Sequence, residues 1–240
     1  MSALDLESHG HMVHYMLSPP FPRQFSAGAY AMELLGRQGD VDGVRAVLAY
    51  CMAAPIAQEL AAYVYAITGR ALPLILFDGE PARAPAVQEQ YEMALHKLRE
   101  FLSVDEAGWT PTSMFDEVAV RERPEAVLRS MHAGLLGVGE QAATYSPGDA
   151  AATMADAEAI ADFYLDWLGH LVAAHNTSWP AWGGPAYQIV SRGHEHASEW
   201  PGATRTLTVA IDASRNDLLR HASTAEAVLS ILVKEAEHAA

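Results

Sequence analysis

The chain has 240 residues, 50% of them hydrophobic, enough for one well-buried domain and short for two. Thirty acidic residues against 15 Lys and Arg leave a net charge of −15, scattered along the chain, which disfavours nucleic acid and anionic membrane surfaces as partners. No apolar run approaches the roughly 20 residues of a membrane span, the acidic N-terminus has no signal-peptide pattern, and the single Cys51 excludes an internal disulfide and a multi-thiolate zinc site, so a soluble, cytoplasmic, single-domain protein is expected.

Residues 12–17 (MVHYML) read as a short strand, ended by Ser18-Pro19-Pro20-Phe21-Pro22, where the prolines lack backbone donors. Apolar spacing over 25–37 predicts a helix. VRAVLAYC, ending at Cys51, is nearly continuous in apolar residues, as in a strand covered on both faces. Pro55 suits the first turn of a helix, and IAQELAAYVYAIT carries it to Gly69, a C-terminal cap. LPLILFDG (72–79) is a second such strand, and the strand–helix–strand order predicts a parallel sheet with a right-handed crossover. Residues 85–103 form an amphipathic helix and Trp109 to Thr112 a turn. Helical stretches follow over about 113–143 and 151–175, divided at Tyr145-Ser146-Pro147-Gly148. Strand patterns return in AYQIVSR (186–192) and TLTVAID (206–212), and a last helix over 223–238 takes Ser223 or Thr224 as its cap. A helical block set between two α/β segments usually lies over the carboxyl ends of the strands, where ligands bind.

At Ala49-Tyr50-Cys51-Met52-Ala53 a buried strand turns directly into a helix, the setting of a nucleophile elbow, ordinarily Gly-x-Ser-x-Gly. Cys51 holds the serine position, and alanine, the smallest alternative, replaces both glycines. The segment AVLAYCMAAPIAQELAAYVYAITGRALPLILFDGEP resembles the core of the thioesterase domains of polyketide synthases and nonribosomal peptide synthetases, in the α/β-hydrolase superfamily. In that family the elbow helix leads to a strand ending in an aspartate followed by small residues and proline; here Asp78 follows Cys51 by 27 positions. Trp182-Gly183-Gly184 before AYQIVSR is similar to the entry to the family's penultimate strand. IDASRNDLLRHASTAEAVLSIL is similar to the segment in which the catalytic histidine precedes a leucine pair and the last helix. The resemblance spans roughly residues 12 to 235. It implies an α/β fold, a truncated α/β-hydrolase-like, mostly parallel sheet flanked by helices, as one domain over 1–240 with a helical lid over about 104–178. It calls for no cofactor and no metal.

Two departures change the chemistry. Aligning Leu218-Leu219 with the family's leucine pair puts Arg215 at the histidine position. Arginine stays charged and accepts no proton at neutral pH. A Cys51–Arg215–Asp78 set can lower a thiol pKa electrostatically but cannot shuttle protons as a Ser-His-Asp triad does. Only 50 residues precede Cys51, and none reads as the family's first strands or its glycine-rich oxyanion loop. The Met52 backbone amide can supply half of an oxyanion hole; the second donor, worth about 3–4 kcal/mol in the transition state, has no evident source. The sheet edge left bare by the absent strands predicts a homodimer.

Each candidate has a plainer reading beside the functional one. Cys51 is a nucleophile or a small buried hydrophobe. Asp78 orients a partner or caps the turn Asp78-Gly79-Glu80-Pro81. His9, His11 and His14, or His194 and His196 beside Glu195 and Glu199, suggest a metal site, against which surface loop histidines are the ordinary account. His194, His196 or His221 is an alternative source of the base that Arg215 cannot be. Met114, Phe115, Trp167, Trp179 and Trp182 pack a lid or line an acyl channel, with Trp167 and Trp182 as substrate contacts. Arg192, Arg205 and Arg215 suit a carboxylate or the phosphopantetheine phosphate of an acyl or peptidyl carrier protein, with Arg192 assigned to substrate.

These residues point to a thioesterase-like enzyme acting on an acyl or peptidyl thioester in natural-product biosynthesis, by hydrolysis, cyclisation or transfer. Cys51 is its nucleophile, Met52 the oxyanion donor, and Asp78 and Arg215 complete the catalytic set. The alternatives are a non-catalytic protein of the same architecture that binds a natural product or partner domain, and an enzyme reusing the pocket for non-acyl cyclisation or dehydration with Asp78 or a histidine as base.

Overall fold

A computed structural model describes residues 1–39, 41–104, 116–145 and 147–239. In chain order the elements are α1 (Ala27–Gln38), β1 (Val47–Tyr50), α2 (Ala54–Thr68), β2 (Leu74–Phe77), α3 (Ala84–Leu102), α4 (Glu117–Glu122), α5 (Pro124–Tyr145), α6 (Ala150–His175), β3 (Ala186–Val190), β4 (Thr206–Ala210) and α7 (Ala222–Ala239). Two compact units share them: Met1–Pro19 with Ala27–Pro81 and Thr177–Ala240, and Pro20–Ser26 with Ala82–Asn176.

In the first unit the strands lie in the order β1-β2-β3-β4, every pair parallel. Side chains of a strand alternate between faces, and β2 divides accordingly. Ile75 and Phe77 join Tyr187, Ile189, Leu4, Leu6 and the α7 residues Val228 and Ile231 on one face. Leu74 and Leu76 join Ala49, Ala186, Trp182 and the α2 residues Ala54, Ala57 and Ala61 on the other. The alanine stripe of α2 lets that helix approach the sheet closely. Pro55 occupies the first turn of α2, and Gly69, at φ 70°, ends it by donating to the Tyr65 carbonyl at 2.8 Å. The result is the α/β class expected, a parallel sheet with helices on both faces.

Several local expectations fail for identifiable reasons. Residues 12–17 form no strand; Met12 is 82% exposed, and the buried N-terminal residues are Leu4 and Leu6, in short 3-10 turns over Ser2–Leu4 and Leu6–His9. β1 is not covered on both faces: it is an edge strand, and only Ala49 of its four residues is fully buried. The last helix begins at Ala222, before Ser223 and Thr224, so neither residue caps it from outside; Thr224 is instead buried.

The second unit is helical. α5 pairs with α6, and α3 packs against both. A Cβ at Gly139 would collide with Ala157, so the α5–α6 approach requires that glycine. The stretch expected over 113–143 is divided: α4 stops at Glu122, and Arg123 precedes Pro124, whose ring disfavours helix in the residue before it. Trp109 to Thr112, Met114, Phe115 and Ser146 lie outside the described residues. No described helix is long and apolar enough to cross a membrane.

His170 of α6 is buried, its ring stacked 5.3 Å from Trp167. Burial pushes its pKa down to about 4 from 6.5, because the imidazolium would lose its hydration. The unfolded chain therefore binds this proton first as pH falls. Stability from His170 is intact above about pH 6.5 and drains away toward pH 4, by about 3 kcal/mol at most. Urea unfolding at pH 7 and pH 4.5 should show a smaller acid loss in His170→Gln than in wild type. Equal losses would remove His170 as the cause.

Candidate functional site

The site begins with backbone geometry. β1 ends at Tyr50 with an extended φ of −115°, and the next residue, Cys51, has φ 56°. A residue other than glycine in the left-handed region carries strain of order 1–3 kcal/mol. The chain then runs through a 3-10 turn, Cys51–Ala53, directly into α2. This is the strand–turn–helix bend of an elbow, with cysteine at its corner. Asp78 repeats the conformation, at φ 43°, after β2. Tyr50 pairs with Phe77 in the sheet, so Cys51 and Asp78 leave neighbouring strands side by side at the carboxyl edge. The Glu80 amide donates to the Cys51 carbonyl at 3.3 Å, tying the second turn to the elbow. Gly79 between them is obligatory, since a Cβ there would lie 2.9 Å from that of Leu76.

Asp78 is fully buried. Its Oδ1 accepts the Ser191 amide at 2.8 Å and its Oδ2 the Ser191 hydroxyl at 2.7 Å. These bonds replace the hydration the carboxylate gives up and anchor the residue that follows β3. From Ser191 the chain makes a tight turn: the His194 amide donates to the Ser191 carbonyl at 3.2 Å, with Gly193 at φ 76° between them. His194 is thereby turned inward. Its side chain is only 8% exposed, and its Nδ1 lies 3.8 Å from Glu80 Oε1.

Arg215 arrives from the loop after β4. Its Nη2 lies 2.8 Å from Cys51 Sγ and 2.9 Å from Glu80 Oε1. Its guanidinium carbon stands 6.0 Å from the centroid of the Tyr50 ring. Burial opposes the arginine's charge, but Tyr50, Cys51 and Glu80 outweigh it and hold the guanidinium protonated beyond its ordinary range. The thiol responds to the same groups in opposite senses. Burial pushes the Cys51 pKa up, Arg215 and the Met52 amide pull it down, and Glu80 adds to the rise. Burial prevails. Cys51 is a thiol at neutral pH, with a cation poised against the sulfur.

Cys51, Met52, Glu80, His194 and Arg215 thus form one constellation, with Asp78 behind it holding Ser191. The other residues singled out from sequence lie apart from these contacts or bind elsewhere. Arg192 is exposed and pairs with Asp212 at 2.7 Å. Trp182 is fully buried and donates to the Leu72 carbonyl at 2.9 Å, before β2 begins, at the opposite end of the strand from Asp78. Trp167, in the helical unit, donates to Gln90 Oε1 at 3.4 Å. Trp179 meets Trp200 edge-on at 5.8 Å, and Arg205 pairs with Glu235 at 2.8 Å. His196 is exposed. Among the described residues no group of three or more His, Cys, Asp or Glu is gathered as a metal site would need. Sequence reasoning did not select Glu80; the only signal was its place two residues beyond Asp78 in the same turn.

Two substitutions test this geometry. Ser191→Ala leaves a buried carboxylate short of one hydrogen bond and should cost about 1.5–3 kcal/mol in urea unfolding; a loss below a few tenths would show that Asp78 does not depend on it. Arg215→Met removes the main influence favouring thiolate, so iodoacetamide should modify Cys51 several-fold more slowly at pH 7.5. An unchanged rate would mean the guanidinium does not act on the sulfur.

No protein-family model matches the chain, and no curated protein sequence matches it. Solved structures do resemble it. A Pseudomonas aeruginosa protein assigned as an epoxide hydrolase is 17% identical, with a TM-score of 0.45 over 92% of this chain and 75% of its own. The NocB thioesterase domain, in covalent complex with a fluorophosphonate nocardicin G analog, is 14% identical, with a TM-score of 0.43 over 91% of this chain and 79% of its own. The Vlm2 thioesterase domain bound with a dodecadepsipeptide is 15% identical, with a TM-score of 0.43 over 90% of this chain and 78% of its own. At these scores the likeness carries no functional argument, and the chemistry follows from this chain's own geometry.

Proposed function

We propose that the chain is a thioesterase-like acyl-transfer enzyme with Cys51 as its nucleophile, acting on an acyl or peptidyl thioester. The observation that carries this reading is the left-handed φ of 56° at Cys51, which bends a parallel strand into a helix at the sulfur. Such strain persists where the surrounding structure enforces it, and at a strand's carboxyl edge it presents the side chain of the corner residue. Attack by sulfur on the thioester carbonyl places negative charge on the carbonyl oxygen. The Met52 amide is in place to meet it as the first residue past the nucleophile. Arg215, whose Nη2 is 2.8 Å from the sulfur, adds a full positive charge and further donors where the second oxyanion donor is otherwise lacking. Thiols need weaker base assistance than serine, which suits a site with arginine at the position of the family's histidine.

In this reading Asp78 serves by holding Ser191 and the turn after it. The helical stretch 104–178 is proposed as the lid, Trp167 and Arg192 keep their proposed place among substrate contacts while Trp182, fully buried at the opposite end of β2, serves packing, and the carrier-borne intermediate of a natural-product assembly is the proposed substrate. A second copy of the chain is proposed to cover the free edge of β1, making a homodimer.

One observation favours a second reading, a non-catalytic binding protein: burial leaves the Cys51 pKa raised in spite of Arg215. Incubation with an N-acetylcysteamine or carrier-bound thioester separates the two. Wild type should turn over and accumulate an acyl adduct on Cys51 by intact mass, and Cys51→Ala should lose at least 100-fold in kcat/KM. Turnover equal in both proteins removes Cys51 from the mechanism; no turnover and no adduct in wild type supports the binding protein.

A further inference from the structure

The helical unit contains a pocket of its own. Pro22 and Phe25, from the segment Pro20–Ser26 that belongs to this unit, line it together with Leu128 of α5 and Leu165 and Gly169 of α6. The space is about 200 Å³, partly open to solvent, and its walls are almost wholly apolar. An apolar cavity of about 150 Å³ holds a benzene ring, so this one has room for a ring or a branched chain with a short polar arm.

Gly169 keeps that room open. It lies in the interior of α6, where glycine is less favourable than alanine. Close approach demands glycine at two positions of α5: a Cβ at Gly139 would collide with Ala157, and one at Gly134 with the Tyr91 hydroxyl. A Cβ at Gly169 would meet only Leu128 Cδ1, at an ordinary 4.0 Å. The helix thus gives up stability where its own packing needs no space, and the space that results belongs to the pocket.

The charges that line the pocket balance. Arg23 and Arg129 stand against Glu125 and Asp166, and His132 has its own acid, with Nε2 3.4 Å from Asp162. Arg129 is engaged by Glu125 one turn earlier on α5. Arg23 is held far less closely. Its Nε is 3.9 Å from Asp166 Oδ1, beyond hydrogen-bond reach, and the two side chains are 83% and 28% exposed. A pair so long and so exposed adds next to nothing to stability and opens at little cost. A ligand with one charge would satisfy one half of it and strand the other. A ligand carrying both charges, net neutral like the ring of residues around it, satisfies both.

We propose that this pocket binds a free apolar α-amino acid, of the leucine or phenylalanine kind. The ligand side chain fills the space over Gly169, between Phe25, Leu128 and Leu165. Its carboxylate accepts from the Arg23 guanidinium, and its ammonium donates to the Asp166 carboxylate. None of Cys51, Asp78, Glu80, His194 or Arg215 lines this pocket, so it stands or falls independently of the thioesterase-like reading.

Isothermal titration of the full chain at pH 7.5 tests this with L-leucine, L-phenylalanine and L-alanine. Two further probes each lack one charge: 4-methylpentanoate has no ammonium, and 3-methylbutylamine no carboxylate. L-leucine or L-phenylalanine should bind saturably with a Kd below about 10 mM. L-alanine and both one-charge probes should bind at least 10-fold more weakly. Arg23→Gln changes an exposed side chain and should weaken the amino acid at least 10-fold. Gly169→Leu fills the space with a better helix former, so it should abolish binding at an unchanged or higher Tm; if that variant fails to fold, Arg23→Gln decides alone. Cys51→Ala should bind as wild type does. The proposal is overturned by no saturable binding of either amino acid up to about 10 mM, by a one-charge probe that binds equally well, by unchanged affinity in Arg23→Gln or in folded Gly169→Leu, or by loss of binding in Cys51→Ala.

Discussion

Two left-handed turns at neighbouring strand ends, Cys51 and Asp78, determine what this sheet edge can do. Neither residue is glycine, so each turn stores strain that the parallel pairing of β1 with β2 and the packing of α2 must hold in place. The first turn brings a sulfur to the carboxyl edge. The second brings a buried carboxylate and, two residues later, Glu80. The amide of Glu80 on the Cys51 carbonyl couples the two turns, so their side chains are placed by backbone and not by flexible loops. Asp78 extends the order one strand further by grasping Ser191 through both of its oxygens. Three strand ends are thus held as one rigid rim.

Within that rim electrostatics decide the state of the sulfur. A thiol beside a guanidinium is the ordinary recipe for a thiolate. Here burial outweighs the cation, and Glu80 both neutralises Arg215 and opposes charge on the sulfur. The thiol stays protonated and the guanidinium charged at the same time. Such an arrangement favours negative charge that develops beside the sulfur over negative charge present at rest, because Glu80 already holds the Arg215 guanidinium against the sulfur.

The second unit has its own logic. Its helices are held by close packing at small residues, Gly139 against Ala157 above all, and by a buried histidine whose neutrality is enforced by the surroundings.

Apolar patterning and cap residues determined the strand–helix–strand order. Apolar runs ending at Cys51 and Asp78, separated by a helix with proline at its start and glycine at its end, admit little besides two parallel strands and a crossover, because apolar runs and caps are local properties of the chain, whereas the half-covered edge position of β1 is not. The elbow was legible for the same reason: a strand that becomes a helix within three residues must bend sharply. Where local signals met no partner, as in residues 12–17, the pattern misled, since a strand needs a neighbour to pair with. The site's second half was hidden. Glu80 and His194 are separated by 114 positions and meet only because β2 and β3 lie side by side and Asp78 holds Ser191. Which of two acidic residues in one turn faces Arg215, and which of several histidines is turned inward, depends on strand register and on one buried hydrogen-bonded pair. Those are properties of the tertiary structure, because they are set by through-space contacts that no spacing along the chain encodes.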